Sequence, residues 1–162
     1  MRNFTFGVED SLASTVGLLS GIASADVKSS TIILTGLVLI FTEALSMGVG
    51  SFLSEQSVEE FEHHRDLPLA RTLPSALIMF FSYLFSGLIP IFPYAILPMP
   101  FSLYVSIVSA IVGLMLLGVF NAVVSGIPVG RLVKRMFILG GSVAVAGVLA
   151  GKFLEKYIGT VM

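Results

Sequence analysis

Along most of this chain apolar residues do not alternate with polar ones. They run together in five stretches, at about 4–25, 31–53, 73–92, 101–125 and 136–157. Crossing roughly 30 Å of hydrocarbon takes about 20 helical residues, so each stretch has the length of a membrane-spanning helix. Lipid offers no partner to an open backbone group, and runs this long are therefore expected as helices rather than strands. Polar positions gather between them. Segment 54–72 holds Glu55, Glu59, Glu60, Glu62, His63, His64, Arg65 and Asp66 and is expected in water as a short acidic connection. The third connection has no charged residue but four prolines, Pro90, Pro93, Pro98 and Pro100. Its prolines predict that the third helix breaks near residue 92 and turns tightly at the membrane surface. No soluble domain remains, so residues 1–162 read as a single transmembrane domain. The opening residues lead into the first apolar stretch without a small-residue cleavage site, and the first helix is expected to be retained.

Composition agrees with the bilayer as solvent, since 56% of residues are hydrophobic and 12% charged, against about 25% charged in soluble domains. The absence of cysteine removes disulfides, thiolate metal sites and thiol redox chemistry. A metal would have to be held by oxygen, imidazole or thioether. A net charge of −1 supplies no basic field that would gather nucleic acid. With five spans, Arg2, Arg65, Arg71, Arg131, Lys134 and Arg135 fall on one side and Lys28, Lys152 and Lys156 on the other. This excess predicts a multi-pass protein with a cytoplasmic amino terminus. Small residues at helix-packing spacing, Gly17 with Gly21, Gly113 near Gly118, and Gly147 with Gly151, predict close helix contacts.

Ionisable side chains inside spanning helices are costly and are functional candidates for that reason. Three qualify: Glu9, Asp10 and Glu43. Counting along the helices at 1.5 Å per residue puts Asp10 and Met47 at the same depth, roughly 9 Å below one surface, with Glu43 a turn deeper on the Met47 face. Asp10 continues into Ser14, Gly17, Gly21 and Ser24, and Glu43 shares a stripe with Gly36, Met47, Gly50 and Ser54. Facing stripes would bring Asp10, Glu43 and Met47 together as a metal site. Carboxylate oxygens attract any hard divalent cation, whereas a thioether adds affinity for softer transition ions, which points to iron(II) or manganese(II) over magnesium. Metal and proton would compete for the same oxygens, the basis of exchange. Each residue also has an ordinary reading. Glu9 and Asp10 could be first-turn residues favoured by the helix dipole, Met47 plain packing, and Glu43 a protonated structural group. Glu9, Ser14, Glu55, Glu59, Glu62 and His63 are accessory candidates for a metal or proton path; the acids beyond the second helix equally suit a solvated face. Asn121 and Ser125 are expected to cap or pack.

The same residues carry a family resemblance. Segments 7–23 (GVEDSLASTVGLLSGIA), 43–54 (EALSMGVGSFLS) and 86–93 (SGLIPIFP) resemble, in order, blocks of the vacuolar iron transporter family. The resemblance implies a homodimer whose first two helices from each subunit line an ion path. It implies exchange of iron(II) or manganese(II) for protons, removing metal from the cytoplasm, with no permanently bound cofactor and the metal as substrate. Asp10 matches the family's first-helix aspartate and Met47 its second-helix methionine. Glu43 occupies the acidic place before the Ser-Met-Gly run, while some members place an acid at the position of Leu39. A long glutamate-rich cytoplasmic helical domain follows the second helix in well-studied members; here only 54–72 stands in its place. Two rivals remain on the residues alone: a proton-coupled exporter of organic cations, which calls for aromatics near the acid, and a scaffold that does not transport. An enzyme is not expected, because no nucleophile and base or catalytic metal triad is suitably spaced.

Overall fold

The computed structural model describes residues 1–25, 27–63 and 71–158. They form five helices in sequence: α1 (Arg2–Ala23), α2 (Ser29–His63), α3 (Leu73–Ile96), α4 (Phe101–Ser125) and α5 (Val129–Ile158). Four of them are long and apolar enough to cross a membrane: α2 over Ser29–Val58, α3, α4, and α5 over Val129–Tyr157. The first helix is the exception in composition, because Glu9 and Asp10 sit within its 22 residues.

Three boundaries depart from the hydropathy pattern. Much of the expected acidic connection is helix, since α2 continues to His63. The third helix does not break at its first prolines; Pro90 and Pro93 lie inside α3, which runs to Ile96. Each proline removes one helical bond, but in lipid an unravelled segment would orphan several backbone groups, so continuing costs less. Leu97 ends the helix with extended backbone, as Pro98 demands of its predecessor. The fifth helix begins at Val129, directly after Pro128, so the basic residues Arg131, Lys134 and Arg135 occupy its first turns rather than a loop. Between α4 and α5 the chain reverses at Gly126, whose φ of 66° is a left-handed conformation that glycine adopts without strain.

The packing places α1 at the hub, in contact with all four other helices, while α2 packs chiefly on α3 and more lightly on α1. Polarity is inverted relative to a soluble bundle. Fully buried positions include Ser11, Thr15, Ser20, Ser102 and Ser106, whereas Phe41, Phe81, Phe85 and Phe92 are exposed. Without a hydrophobic drive between helices in lipid, small side chains and hydroxyl groups allow close backbone approach. The glycines show how close. A methyl group at Gly147 or Gly151 would fall on the carbonyls of Gly17 and Gly21, so α1 and α5 touch backbone to backbone. Gly113 receives Leu12, and Gly118 receives Met136. The expected close contacts are thus formed within one chain.

Candidate cation site

Two contacts fix how α1 and α2 lie against one another. Asn3 Nδ2 donates to Ser51 Oγ at 2.9 Å, and near the other end Leu19 fills the space over Gly36. Asn3 to Leu19 spans 16 residues of α1, and Ser51 back to Gly36 spans 15 of α2, so the helices are antiparallel in constant register. Asp10 therefore stands level with residue 44 of α2, between Glu43 and Met47. Asp10, Glu43 and Met47 are all half-buried. The Asp10 and Glu43 carboxylates lie near enough to act on each other electrostatically. Glu43 also falls at the midpoint of the Ser29–Val58 span, where an isolated carboxylate is most costly.

Around this pair α1 and α3 supply hydroxyl groups. Ser14, one turn beyond Asp10, shares a hydrogen bond of 2.7 Å with the Tyr83 hydroxyl of α3. Ser11 Oγ donates to the Tyr83 carbonyl at 2.6 Å. Tyr83 is fully buried, and its hydroxyl feels the charges of both Asp10 and Glu43. It was not legible as a site residue, because in sequence it is one aromatic in a run of phenylalanine and leucine. The neighbouring Ser82 and Ser86 are the sequence signal that this face of α3 turns inward.

From Glu43 toward the amino-terminal end of α1, half-buried side chains repeat every fourth residue of α2: Glu43, Met47, Ser51 and Glu55. At 1.5 Å per residue the row is roughly 18 Å long. It opens into a polar cavity of about 290 Å³ lined by Arg2, Ser54, Glu55, Val58, Arg71 and Thr72. Here Asn3 also donates to Glu55 Oε1 at 3.2 Å, and Arg2 Nη2 stands 3.8 Å from the same oxygen. In the other direction the row stops. A methyl at Gly87 would lie 2.5 Å from Ile40 and 2.8 Å from Ser11 Oγ, so α1, α2 and α3 close together one turn past Glu43. Beyond lies an apolar cluster of Leu19, Ala23, Ile32, Ile40, Ile91 and Tyr94.

The remaining expectations divide. Ser14 belongs to the constellation and Glu55 to the mouth of the row. Glu9 is half-buried but lies about 100° around the helix from Asp10 and so off that face. Gly17 and Gly21 pack on α5, the Ser24 hydroxyl bonds back to the Ser20 carbonyl of its own helix, and Ser14 reaches α3 through Tyr83. On α2, Gly36 is buried while Gly50 and Ser54 are exposed, so that stripe winds off the face. Asn121 accepts a bond from Thr5 Oγ1 at 2.9 Å and ties α4 to α1. The side chains of Glu59, Glu62 and His63 lie outside the described residues. Among the described residues no group of three His, Asp or Glu side chains could hold a metal ion; one copy brings two carboxylates near one another, and the register sets Met47 about a turn from Asp10 rather than level with it.

Comparison with known proteins bears on this arrangement. A family model described as the VIT family matches residues 1–68 and 60–152. Vacuolar iron transporter 1 of Tulipa gesneriana is 36% identical over 67 residues, which cover 41% of this chain. The matched stretch spans only 27% of that protein's length.

Proposed function

The chain belongs to the VIT family of vacuolar iron transporters, and from that premise we propose that it carries iron(II) or manganese(II) out of the cytoplasm in exchange for protons. The observation that carries this reading is the meeting of Asp10 and Glu43, from adjacent helices, at mid-depth in an apolar bundle. Two carboxylates that repel each other in a low-dielectric setting are held there at a cost. A divalent cation removes that cost by binding both, and two protons do so by neutralising them, which makes metal and protons alternative occupants. Met47 biases the choice of metal toward softer ions. Glu55 and the polar cavity beside it form the approach, on the side where Arg2, Arg71, Arg131, Lys134 and Arg135 gather; that side is cytoplasmic by the distribution of positive charge.

Asp10, Glu43 and Met47 are only half-buried, so one copy leaves the pair open on a flank. A second copy applied there by two-fold symmetry would supply a matching set and enclose the ion, hence a homodimer. Tyr83 is the aromatic that the organic-cation reading requires, yet it is fully buried and bonded through its hydroxyl. It presents no ring surface to a bulky cation.

The test uses purified protein in liposomes loaded with a metal-quenched dye and a pH dye. Iron(II) and manganese(II) should enter with counterflowing protons, and magnesium and a quaternary ammonium should not. Asp10→Ala and Glu43→Ala should abolish the flux. If both variants transport like the parent, the site is misassigned; if the parent moves no metal, the function is.

A further inference from the structure

The polar cavity at the mouth of the row has the wrong sign for a passage of cations. Two guanidinium groups, Arg2 and Arg71, line it against one carboxylate, Glu55. That carboxylate is already engaged, since Asn3 donates to its Oε1 and Arg2 stands beside the same oxygen. Among the described residues Arg71 has no carboxylate partner. The cavity therefore carries an excess positive charge that an anion is needed to balance. Its depth narrows the choice of anion. Glu55 lies in the last turn of the α2 span, which ends at Val58, so the cavity sits where the chain leaves the membrane.

A second hollow begins within one turn of the first. Between α2 and α3 runs a groove of about 380 Å³ lined by apolar residues alone. One end is formed by Phe52 and Leu73; Phe52 is a turn from Glu55, and Leu73 follows Thr72, which lines the polar cavity. The other end is formed by Leu45 and Phe80, seven residues or roughly 10 Å deeper. A basic pocket at the membrane surface that gives way to an apolar groove leading inward matches a molecule with an anionic head and a hydrocarbon chain.

We propose that the crevice at the basic ends of α2 and α3 binds one anionic phospholipid, its phosphate held by Arg71 and Arg2 and one acyl chain laid along the groove toward Leu45. The guanidinium fork fits phosphate oxygens, and anionic lipids of a cytoplasmic leaflet are drawn to basic residues at this level. A zwitterionic lipid has the same phosphate but brings a further cation to a cavity that already holds two. Free phosphate lacks the chain that the groove takes up. The site stands on its own geometry, while its consequence for transport rests on the reading above and deepens it. With the phosphate in place the excess positive charge at the mouth is cancelled, Arg2 turns from Glu55 to the lipid, and Glu55 is left for the incoming ion.

The test follows thermal unfolding of the purified chain in neutral detergent, titrated at fixed ionic strength with phosphatidylglycerol, phosphatidylcholine or inorganic phosphate. Phosphatidylglycerol should raise Tm by about 3–6 °C at tenfold its half-saturating concentration, and the other two should not. Arg71→Gln removes the phosphate contact, and Leu77→Trp, at an exposed position of the groove, fills the place of the chain. Each should lose most of the shift, and because they act at opposite ends of the site, either one decides the matter if the other does not fold. A shift from phosphatidylcholine or inorganic phosphate as large as that from phosphatidylglycerol overturns the proposal, and so does a full shift in either folded variant. None of these measurements involves metal flux. A parent that binds the lipid but moves no manganese(II) in liposomes overturns the transport reading alone.

Discussion

The seam between α1 and α5 makes a prediction in which two nearly identical substitutions have opposite signs. A Cβ added at Gly147 would lie 2.8 Å from the Gly17 carbonyl carbon and 3.0 Å from its Cα, and one added at Gly151 would lie 2.8 Å from the Gly21 Cα. These neighbours are backbone, which cannot rotate away, so the helices must separate. Separation by even part of a methyl diameter loosens contacts along the whole seam, and overpacking of this kind costs about 1–3 kcal/mol. Gly141 lies on the same helix with nothing within 4 Å of its added Cβ. Alanine there meets no clash and gains helix propensity, up to about 1 kcal/mol in a soluble helix. In detergent-purified protein followed by thermal unfolding, Gly147→Ala and Gly151→Ala should each lower Tm by roughly 3–10 °C for a chain of this size. Gly141→Ala should leave Tm unchanged or slightly raised. Equal losses at Gly141 and Gly147 would refute the reasoning, because the open and the closed glycine would then not differ.

Asn3 joins α1 to Ser51, Glu55 and the Ser75 carbonyl; Asn3→Ala should cost about 1–3 kcal/mol, read as a lower Tm, because three hydrogen bonds to half-buried partners are lost at once. Arg2, whose side chain is 82% exposed, reaches Glu55 from the solvent side only, and Arg2→Ala should change stability by less than about 1 kcal/mol at any salt concentration. Met47→Leu conserves volume and should leave the fold intact, while magnesium becomes a better competitor of manganese(II) uptake in a liposome competition assay, since the thioether is gone.

The parts of this fold that could be read from sequence are those in which one physical rule acts alone. Long apolar runs admit one solution, because lipid forbids anything but closed backbone, and all five appear as helices, four of them long and apolar enough to cross a membrane. Asp10 and Glu43 stand out as candidates for the same reason: a charge inside such a run has a cost with no structural return. Where two rules compete, the pattern misled. Pro90 and Pro93 break soluble helices, but inside α3 the surrounding lipid makes a break dearer than two missing bonds. Hydropathy placed the start of α5 at residue 136, whereas the turn at Gly126 and Pro128 starts it at Val129 and makes Arg131, Lys134 and Arg135 part of its first turns. Gly17 and Gly21 read equally well as path or as packing, and only the position of α5 decides. Tyr83 was hidden because an aromatic residue among aromatics reveals itself only when its hydroxyl is seen to have a partner.

The unequal packing of α1 and α2 has a consequence for the proposed ion movement. Glycines lock α1 against α5 and hydroxyl bonds tie it to α3 and α4, so displacing Asp10 would disturb contacts on every side. By contrast, among the described residues α2 packs on α3 and, lightly, on α1 alone, and it carries Glu43. The row from Glu55 to Glu43 already opens toward the basic end, and the obstruction on the other side is the contact of Gly87 with Ile40 and Ser11. Releasing an ion past that point requires Ile40 to withdraw, and Ile40 belongs to α2, three residues from Glu43. A single movement of α2 would therefore part the two carboxylates, weakening their joint hold on a cation, and open the closed side in the same step. The alternative, moving α1, would achieve the first effect only by breaking the backbone contacts of Gly17 and Gly21 with Gly147 and Gly151.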